Sequence, residues 1–445
     1  MASTYLQRAS TGTNGNRKTW TFSCWIKRTA LNSGSDHCIL SMGEATNDES
    51  QLKFADDTIN FFNDYATTGR VSMVSNPPTR YRDLNGWYHL VFTHDVTETS
   101  NDDRWKIWIN GDLMPASYYG SPTIPNEDGT MNEFNGMDMW IGARAKAQND
   151  SVYFYLNANL SHVHFIDGTA YDASAFGEFD ANGVWKIKTS PSVTYGTNGF
   201  FILKDGNSVT DQSGNSNNFT VAGGTLTNTL DCPDNVFATM NPLDFHNNAP
   251  TLSNGNLTVA STTSNSPIRA TMGFSKGKWY AEYRFEASDN DNHIGCHSLE
   301  TSLTLNYTGG ETYSWGLVTS SGDKRNNNVS TSYGSAIGYS NSIVMIAIDK
   351  DNGKIWWGKD GTWFASGDPA NGTNEAFSNI NTVVGADGFV TFSDTTYRNG
   401  SWNFGNGYFG TTPVASAGTN ASGIGIFEYD VPTGYTALST KGLDL

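Results

Sequence analysis

The chain has 445 residues, and its 27 Lys and Arg against 44 Asp and Glu give a formal net charge of −17. Because no basic cluster is longer than two residues, this acidic balance argues against nucleic acid and anionic membranes as partners. The 13 Trp, 20 Tyr and 24 Phe provide enough apolar surface for packed cores and exclude a disordered chain, while the length predicts about two or three domains.

The first part of the chain is predicted to form short strands. Apolar and polar residues alternate between Thr19 and Lys27, as in a strand with one buried face. Asn110 and Gly111 predict a hairpin turn, since both residues tolerate a positive φ. Further strands of the same kind are predicted at 86–94, 104–109, 137–141 and 160–166.

The composition becomes rich in turn residues between 173 and 256, where one strand is predicted at 199–204. This stretch is interpreted as an ordered connector that packs on the first domain, because aromatic residues such as Trp185 and Phe219 need burial. A second set of strands follows residue 257. These strands are predicted at 278–285, 343–348, 354–357, 389–392 and 401–404.

No stretch shows the apolar spacing of an amphipathic helix. Short strands with Asn-Gly and Asp-Gly turns are typical of antiparallel sandwiches. The predicted fold class is therefore all-β, with two antiparallel β-sandwich (jelly-roll) domains joined by an ordered, turn-rich connector. The predicted boundaries are 1–172 for the first domain, 173–256 for the connector and 257–445 for the second domain.

The sequence shows no membrane or export signal. Its longest apolar run, 343–348, is far shorter than the roughly 20 residues of a spanning helix, so no membrane insertion is expected. The first residues lack a charged segment followed by an apolar one, and no signal peptide is expected. Cys24 and Cys38 can pair only if their strands are neighbours, and free thiols are expected for a chain made in a reducing cytosol.

Two groups of motifs resemble known families. Residues 5–172 resemble a laminin-G/concanavalin A-like jelly roll of the kind found in tailed-phage virion proteins, through the stretches 5–10, 16–28, 86–90, 108–111, 140–144 and 160–168. Residues 257–438 resemble a SPRY domain, through the stretches 277–282, 348–358, 402–405 and 432–435. The order of the two domains resembles that of structural proteins of marine and enterobacterial phages.

The resemblance raises the question of glycoside hydrolysis, because concanavalin A-like folds include glucanases. Those enzymes share a strand motif, E-x-D-x-x-E, which places carboxylates on one face about 5 Å apart, and this motif is absent from the sequence. Glu282 and Glu286 alternate in a strand with Arg284 between them, and a solvated strand face is the favoured interpretation. Since nucleophile elbows and phosphate loops are also absent from the sequence, the protein is predicted not to be an enzyme.

Metal sites have weak support in the sequence. The loop with Asp289, Asp291 and His293 is the candidate for a Ca²⁺ ion, because three ligands fall within a few residues. Residues 349–353 begin like a calcium loop, but the sequence favours a hairpin turn. His162 and His164 share a strand face without an identifiable third ligand, so a solvated face is favoured over zinc. No other cofactor is predicted.

Recognition is predicted in the second domain. Tyr313 and Trp315 alternate in a strand beside a long loop, and exposed aromatic rings near Asp and Asn side chains are the physical basis of sugar recognition. The alternative is that these rings fill the sandwich core. The adjacent Trp356 and Trp357 face opposite sides of a strand, so only one of them is expected in the core. The predicted ligand-binding residues are Tyr313, Trp315, Asp289, Asp291 and His293.

The resemblance implies a phage virion protein, assembled in the host cytoplasm. The first hypothesis is a tail-associated protein that binds a host-surface glycan or envelope component without catalysis. The alternative is a capsid or tail decoration protein that makes only protein–protein contacts, and a third hypothesis is a polysaccharide-degrading tailspike. The expected partners are other virion proteins and further copies of the chain, in a trimer by analogy with phage proteins.

Overall fold

A computed structural model of the protein describes residues 3–10, 12–13, 15–45, 48–65, 69–74, 79–118, 138–145, 151–204, 208–260, 266–286, 292–304, 307–337, 341–395 and 399–445. The chain divides into two compact units, Met1–Asn228 and Thr229–Leu445. Antiparallel sheets dominate both units, which confirms the predicted all-β fold class. In these ranges, no helix is long and apolar enough to cross a membrane.

The described part of the first unit contains fifteen strands and one α-helix, α1, at Asn101–Arg104. Short 3₁₀ turns lie at Ala116–Tyr118 and Ala173–Ala175. Strands β1 to β15 are, in order, Tyr5–Arg8, Thr19–Arg28, His37–Ala45, Asp48–Ala55, Thr58–Tyr65, Gly69–Val74, Tyr88–Asp95, Trp105–Ile109, Asp112–Leu113, Met139–Ile141, Ala158–Asp167, Gly177–Phe179, Trp185–Ile187, Phe200–Ile202 and Thr220–Gly223.

Two sheets enclose the core of the first unit. One has the strand order β15-β1-β10-β3-β4-β5-β6 and the other the order β14-β11-β2-β7-β8-β9. The buried apolar face predicted for β2 is confirmed, because Trp20, Phe22 and Cys24 are fully buried in this core. The prediction that only one face is buried is wrong, because Thr21 and Ser23 on the opposite face are also fully buried. The predicted hairpin is also confirmed: Asn110 and Gly111 have positive φ angles of 51° and 88° and join β8 to β9.

The outer face of the β14-to-β9 sheet is covered by residues 171–195, here named the first covering segment. Phe176 packs there against Val91 and Ile166, and Trp185 and Tyr195 pack at the edges of this cluster. The strands β7 and β11, which contain Val91 and Ile166, are therefore buried on both faces of the sheet. The covering segment follows β11 directly along the chain, which lets it fold back over the sheet that β11 has entered.

The described part of the second unit contains seventeen strands, two α-helices, α2 at Ile380–Val384 and α3 at Thr440–Leu443, and a 3₁₀ turn at Phe364–Ser366. Strands β16 to β32 are, in order, Met240–Phe245, Thr251–Ser253, Thr258–Ala260, Ile268–Ala270, Lys278–Phe285, His293–Ser298, Ser314–Val318, Asp323–Asn326, Val329–Thr331, Ile343–Asp349, Lys354–Lys359, Thr362–Trp363, Val390–Thr395, Gly400–Asn403, Tyr408–Phe409, Thr412–Pro413 and Thr436–Ala437.

The second unit is also a sandwich. Its sheets have the orders β16-β19-β28-β21-β22-β23-β24 and β17-β18-β29-β20-β25-β26-β27, and β32 pairs in parallel with β20. The expectation that only one of Trp356 and Trp357 is buried is wrong, because both are fully buried. Trp357 lies in the main core, whereas Trp356 lies on the outer face under residues 415–438, here named the second covering segment.

The boundary between the units differs from the predicted connector. Residues 173–228 belong to the first unit, where they supply the first covering segment and the edge strands β14 and β15. Residues 229–256 belong to the second unit, because β16 pairs with β19 there, so the stretch predicted as one connector is divided between the two units. The sequence offered no sign of this division, since both parts are equally rich in turn residues.

Each unit has its own core, so each is expected to fold alone when the chain is divided at residues 228 and 229. Fragments 1–228 and 229–445 should both be soluble and give cooperative melts with β-type circular dichroism. Fragment 249–445 is the matched comparison, because it lacks β16, and it should melt at a lower temperature than 229–445. Equal melting temperatures for 229–445 and 249–445 would show that β16 contributes nothing to the second unit.

Candidate functional site

Trp315 does not form part of an exposed site. Its side chain is 0% exposed and packs in the main core of the second unit. Its indole N–H donates to the Oδ1 of Asn379 at 2.9 Å, so even its polar atom is satisfied inside the protein. The prediction that Trp315 binds a ligand is therefore wrong. Trp315 lies opposite Cys296, and both point into the space between the two sheets.

The other predicted ligand-binding residues are not gathered into one site. Tyr313 is 40% exposed and precedes β22, next to Ser298 at the end of β21. His293 is buried at the opposite end of β21, where its Nδ1 lies 3.2 Å from the carbonyl oxygen of Thr308. Asp289 and Asp291 lie outside the described residues. At about 3.3 Å per strand residue, Tyr313 and His293 are too far apart to hold one small ligand.

Of the two candidate calcium loops, the one with Asp289 and Asp291 lies outside the described residues and stays a prediction. Residues 349–353 form the hairpin turn between β25 and β26, as predicted, and the Asp349 carboxylate accepts the backbone N–H of Asn352 at 3.0 Å. Among the described residues, no group of three or more His, Cys, Asp or Glu side chains is placed to hold a metal ion.

The solvated face predicted for His162 and His164 is wrong, because both side chains are buried. The first covering segment and β14 lie over them. His164 stacks on Phe201 with ring centroids 4.0 Å apart, and its Nδ1 lies 3.0 Å from the hydroxyl of Tyr195. Burial holds the pKa of His164 well below its ordinary value, so the ring is neutral at physiological pH.

Glu282 is the described carboxyl group that most resembles a general acid, because burial raises its pKa to about 7 despite hydrogen bonds that act in the opposite direction. However, the second covering segment seals it from solvent, so the predicted solvated face is wrong for Glu282. Its carboxylate accepts the backbone N–H groups of Glu428 and Tyr429, both at 2.9 Å, and the hydroxyl of Tyr280 at 3.0 Å. These contacts indicate that Glu282 anchors the covering segment and does not meet a substrate.

A groove with a volume of about 710 Å³ lies on the second unit beside β27. Two stretches that are distant in sequence line it, one from the β26–β27 turn to residue 370 and one from the second covering segment. Trp363 is its aromatic side chain. The ring is half-buried and meets Tyr280 edge-on at 6.3 Å between centroids.

Polar groups surround Trp363. Thr362, Ser366 and Thr433 are exposed hydroxyl-bearing residues of the lining, and Asp368 and Asp430 are its acidic residues. Hydrogen bonds place both carboxylates, because Asp430 Oδ1 accepts the backbone N–H of Thr419 at 2.6 Å, and Asp368 Oδ2 accepts the Asn371 side-chain amide at 2.7 Å.

The two carboxylates are ionised at neutral pH. Hydrogen bonds from Asn371 lower the pKa of Asp368, and hydrogen bonds from Thr419 lower the pKa of Asp430. An ionised carboxylate accepts hydrogen bonds strongly, so both groups are prepared to receive hydroxyl groups from a ligand.

Only part of this groove could be found in the sequence. The Asp360-Gly361 turn is followed directly by Thr362 and Trp363, which form a short edge strand, so Trp363 is marked as an aromatic residue near the surface. Asp368, Thr419 and Asp430 were missed. They reach the groove through irregular loops that have no periodic pattern, and Thr419 and Asp430 arrive on a segment more than 50 residues further along the chain.

The sequence comparison identifies one domain. Residues 2–167 match the family described as the Concanavalin A-like lectin/glucanases superfamily. No curated protein is significantly similar in sequence to the chain. The match lies within the first unit and supports the laminin-G/concanavalin A-like domain that the motifs in the first part of the chain predicted.

The solved structures that match the chain include two SPRY domains and a laminin fragment. The SPRY domain of human HERC1 is 12% identical, with a TM-score of 0.29, and the match covers 37% of this chain and 96% of that one. The TRIM65 PSpry domain is 17% identical, with a TM-score of 0.29 and coverages of 37% and 89%. Domains LG4-5 of the mouse laminin alpha1 chain are 10% identical, with a TM-score of 0.30 and coverages of 88% and 80%. At these identities and TM-scores, the similarities carry no information about the ligand of this chain.

Proposed function

We propose that the protein is a non-catalytic binding protein of a phage particle, which attaches to a host-surface glycan through the groove of its second unit. The observation that carries the proposal is the half-buried indole of Trp363 among exposed hydroxyl groups and two ionised carboxylates. The C–H groups of a sugar stack on an aromatic ring, while carboxylates and hydroxyl groups bind the sugar hydroxyls. The virion assignment is supported by the motifs of the two domains.

The lack of catalysis is part of the proposal. In a glycosidase, one carboxyl group must keep a proton to protonate the leaving group. The lowered pKa values of Asp368 and Asp430 do not suit either group to that task. The buried carboxyl of Glu282, whose pKa is raised, lies under the covering segment and its oxygens already accept hydrogen bonds.

A decoration protein is the second candidate, and a surface of the first unit favours it. Leu113, Phe179 and Val184 are exposed apolar side chains. Phe179 packs edge-on against Trp185 at 4.8 Å, and Gly111, in the turn before Leu113, also approaches that ring. Grouped apolar side chains on a surface are typical of protein–protein contacts, so this patch would hold another virion protein or another copy of the chain.

Replacing Trp363 by Ala is expected to abolish glycan binding by the full chain, because the stacking surface is lost. A single site of this kind should have a dissociation constant of about 1 mM, so the protein should be displayed in many copies on beads and tested on an array of bacterial surface glycans and on host cells. Ala370→Arg should have the same effect, since an exposed long side chain fills the groove without removing a core contact.

Tyr313→Ala is the matched control, because Tyr313 is another exposed aromatic residue of the second unit. It should bind as the unmodified chain does, and all variants should be compared by thermal melts. If Tyr313→Ala loses binding while both groove variants retain it, the groove is not the binding site. If the unmodified chain binds no glycan and adsorbs to no cell, the glycan proposal is wrong and the decoration protein is favoured.

A further inference from the structure

We infer that the groove binds uncharged glycans more tightly than acidic ones, which carry carboxylate or sulfate groups. This inference rests on the proposed function and specifies the class of ligand that the same site accepts. The inference is based on the two carboxylates that line the groove and on the hydrogen bonds that fix their positions.

The groove has a negative lining. Asp368 and Asp430 are its ionisable side chains among the described residues, and none of the described lining residues is basic. Asp430 is fixed by two hydrogen bonds from Thr419, from the backbone N–H at 2.6 Å and from the hydroxyl at 2.8 Å. The Asp430 carboxylate therefore cannot rotate away from a ligand without breaking both hydrogen bonds.

Two lysines of the sheet that contains β27 are already paired with acidic side chains. Lys354, in β26, lies 3.4 Å from the carboxylate of Glu375 and also donates to the carbonyl oxygen of Gly372. Lys278, near the ring of Tyr435, lies 3.3 Å from the carboxylate of Asp349. Each of these lysines is paired with an acidic partner, and the chain as a whole carries a net charge of −17.

The two carboxylates favour neutral sugars and oppose acidic ones. A carboxylate can accept hydrogen bonds from sugar hydroxyl groups, and such charge-assisted bonds are strong. For an acidic group on the same sugar held at an assumed distance of about 7 Å from both aspartates, Coulomb repulsion in water weakens binding by about sevenfold at low salt. Salt shortens the range of this repulsion, since the screening length is about 10 Å at 0.1 M and about 3 Å at 1 M.

The test compares neutral glycans with their sialylated, uronic or sulfated derivatives on one array, with the full chain displayed on beads. At about 20 mM salt, each acidic derivative should bind about fivefold to tenfold more weakly than its neutral parent, and the difference should fall below about twofold at about 0.5 M salt. The double variant Asp368→Asn and Asp430→Asn should lose the discrimination at low salt. The Asp430→Asn change keeps a side-chain oxygen that can accept from Thr419, so the groove should retain its shape.

The matched control is the double variant Asp387→Asn and Asp444→Asn, which changes the net charge equally at exposed positions outside the groove lining. It should discriminate as the unmodified chain does. If acidic derivatives bind the unmodified chain as well as their neutral parents, the inference is wrong although the proposed function stands. If no glycan of either kind binds, the proposed function itself is wrong. If the control variant also loses discrimination, overall charge and not the groove is responsible, which would equally overturn the inference.

Discussion

Lowering the pH from about 8 to about 5 is expected to destabilise the first unit by about 4 kcal/mol, because of two buried histidines alone. Burial lowers the pKa of both His89 and His94 to about 3. Below pH 6.5 the unfolded chain binds a proton on each histidine, whereas the folded unit does not, so stability is present above about 6.5 and is lost as the pH falls. With ordinary stabilities of about 5 to 15 kcal/mol, this loss is roughly a quarter to four fifths of the stability of the unit.

The geometry explains why these rings stay neutral. His94 accepts the indole N–H of Trp105 on its Nδ1 at 2.6 Å, and His89 accepts that of Trp185 on its Nδ1 at 3.0 Å. A proton on either nitrogen would point at another N–H group. Trp185 belongs to the first covering segment, so protonation of His89 on Nδ1 would break the hydrogen bond between this segment and the sheet. His37 and His164, whose pKa values are also lowered by burial, act in the same direction.

Hydrogen–deuterium exchange with mass spectrometry measures this effect separately in each unit of the full chain. Protection in 1–228 should fall between about pH 6 and pH 4. The double variant His89→Gln and His94→Gln keeps a side-chain acceptor for each indole and removes the titrating groups, so its free energy of unfolding should change less between pH 8 and pH 5. Equal pH dependence of the variant and the unmodified chain would contradict the assignment to these two rings.

Trp315→Ala is expected to destabilise the second unit by about 3 to 5 kcal/mol, which corresponds to a fall of roughly 6 to 20 °C in the melting temperature of a unit of this size. The substitution removes a fully buried ring from the core and leaves the Asn379 side-chain oxygen without the indole donor. Melts followed by near-ultraviolet circular dichroism measure the loss.

Tyr313→Ala provides the comparison two residues earlier. Tyr313 is partly exposed, so its removal should change the free energy of unfolding by less than about 1 kcal/mol. If both variants melt like the unmodified chain while Trp315→Ala loses glycan binding, the burial of Trp315 is contradicted. Trp315 would then be a candidate ligand-binding residue again.

Part of the candidate site could be predicted and part could not. Hydrophobic alternation places Trp315 on one face of a strand, but alternation is the same for a face that meets the core and for a face that meets a ligand. The sheet opposite decides between them, since Trp315 points into the space that Cys296 shares. The sequence shows that Trp363 is an aromatic residue directly after a turn. It does not show that Asp430 lies near Trp363, because that position depends on how the second covering segment folds.

The sequence by itself determined the all-β class, the buried faces of strands such as β2 and the hairpin at Asn110, because these depend on residues that are neighbours along the chain. Only the tertiary structure decided whether the strand faces that point away from the main core are exposed or buried. His164, Glu282 and Trp356 each point away from the main core, and each is buried under a covering segment. Alternation along a strand cannot reveal such a second layer, because the residues that cover the strand come from another part of the chain. Those residues lie in loops, where apolar side chains follow no regular spacing.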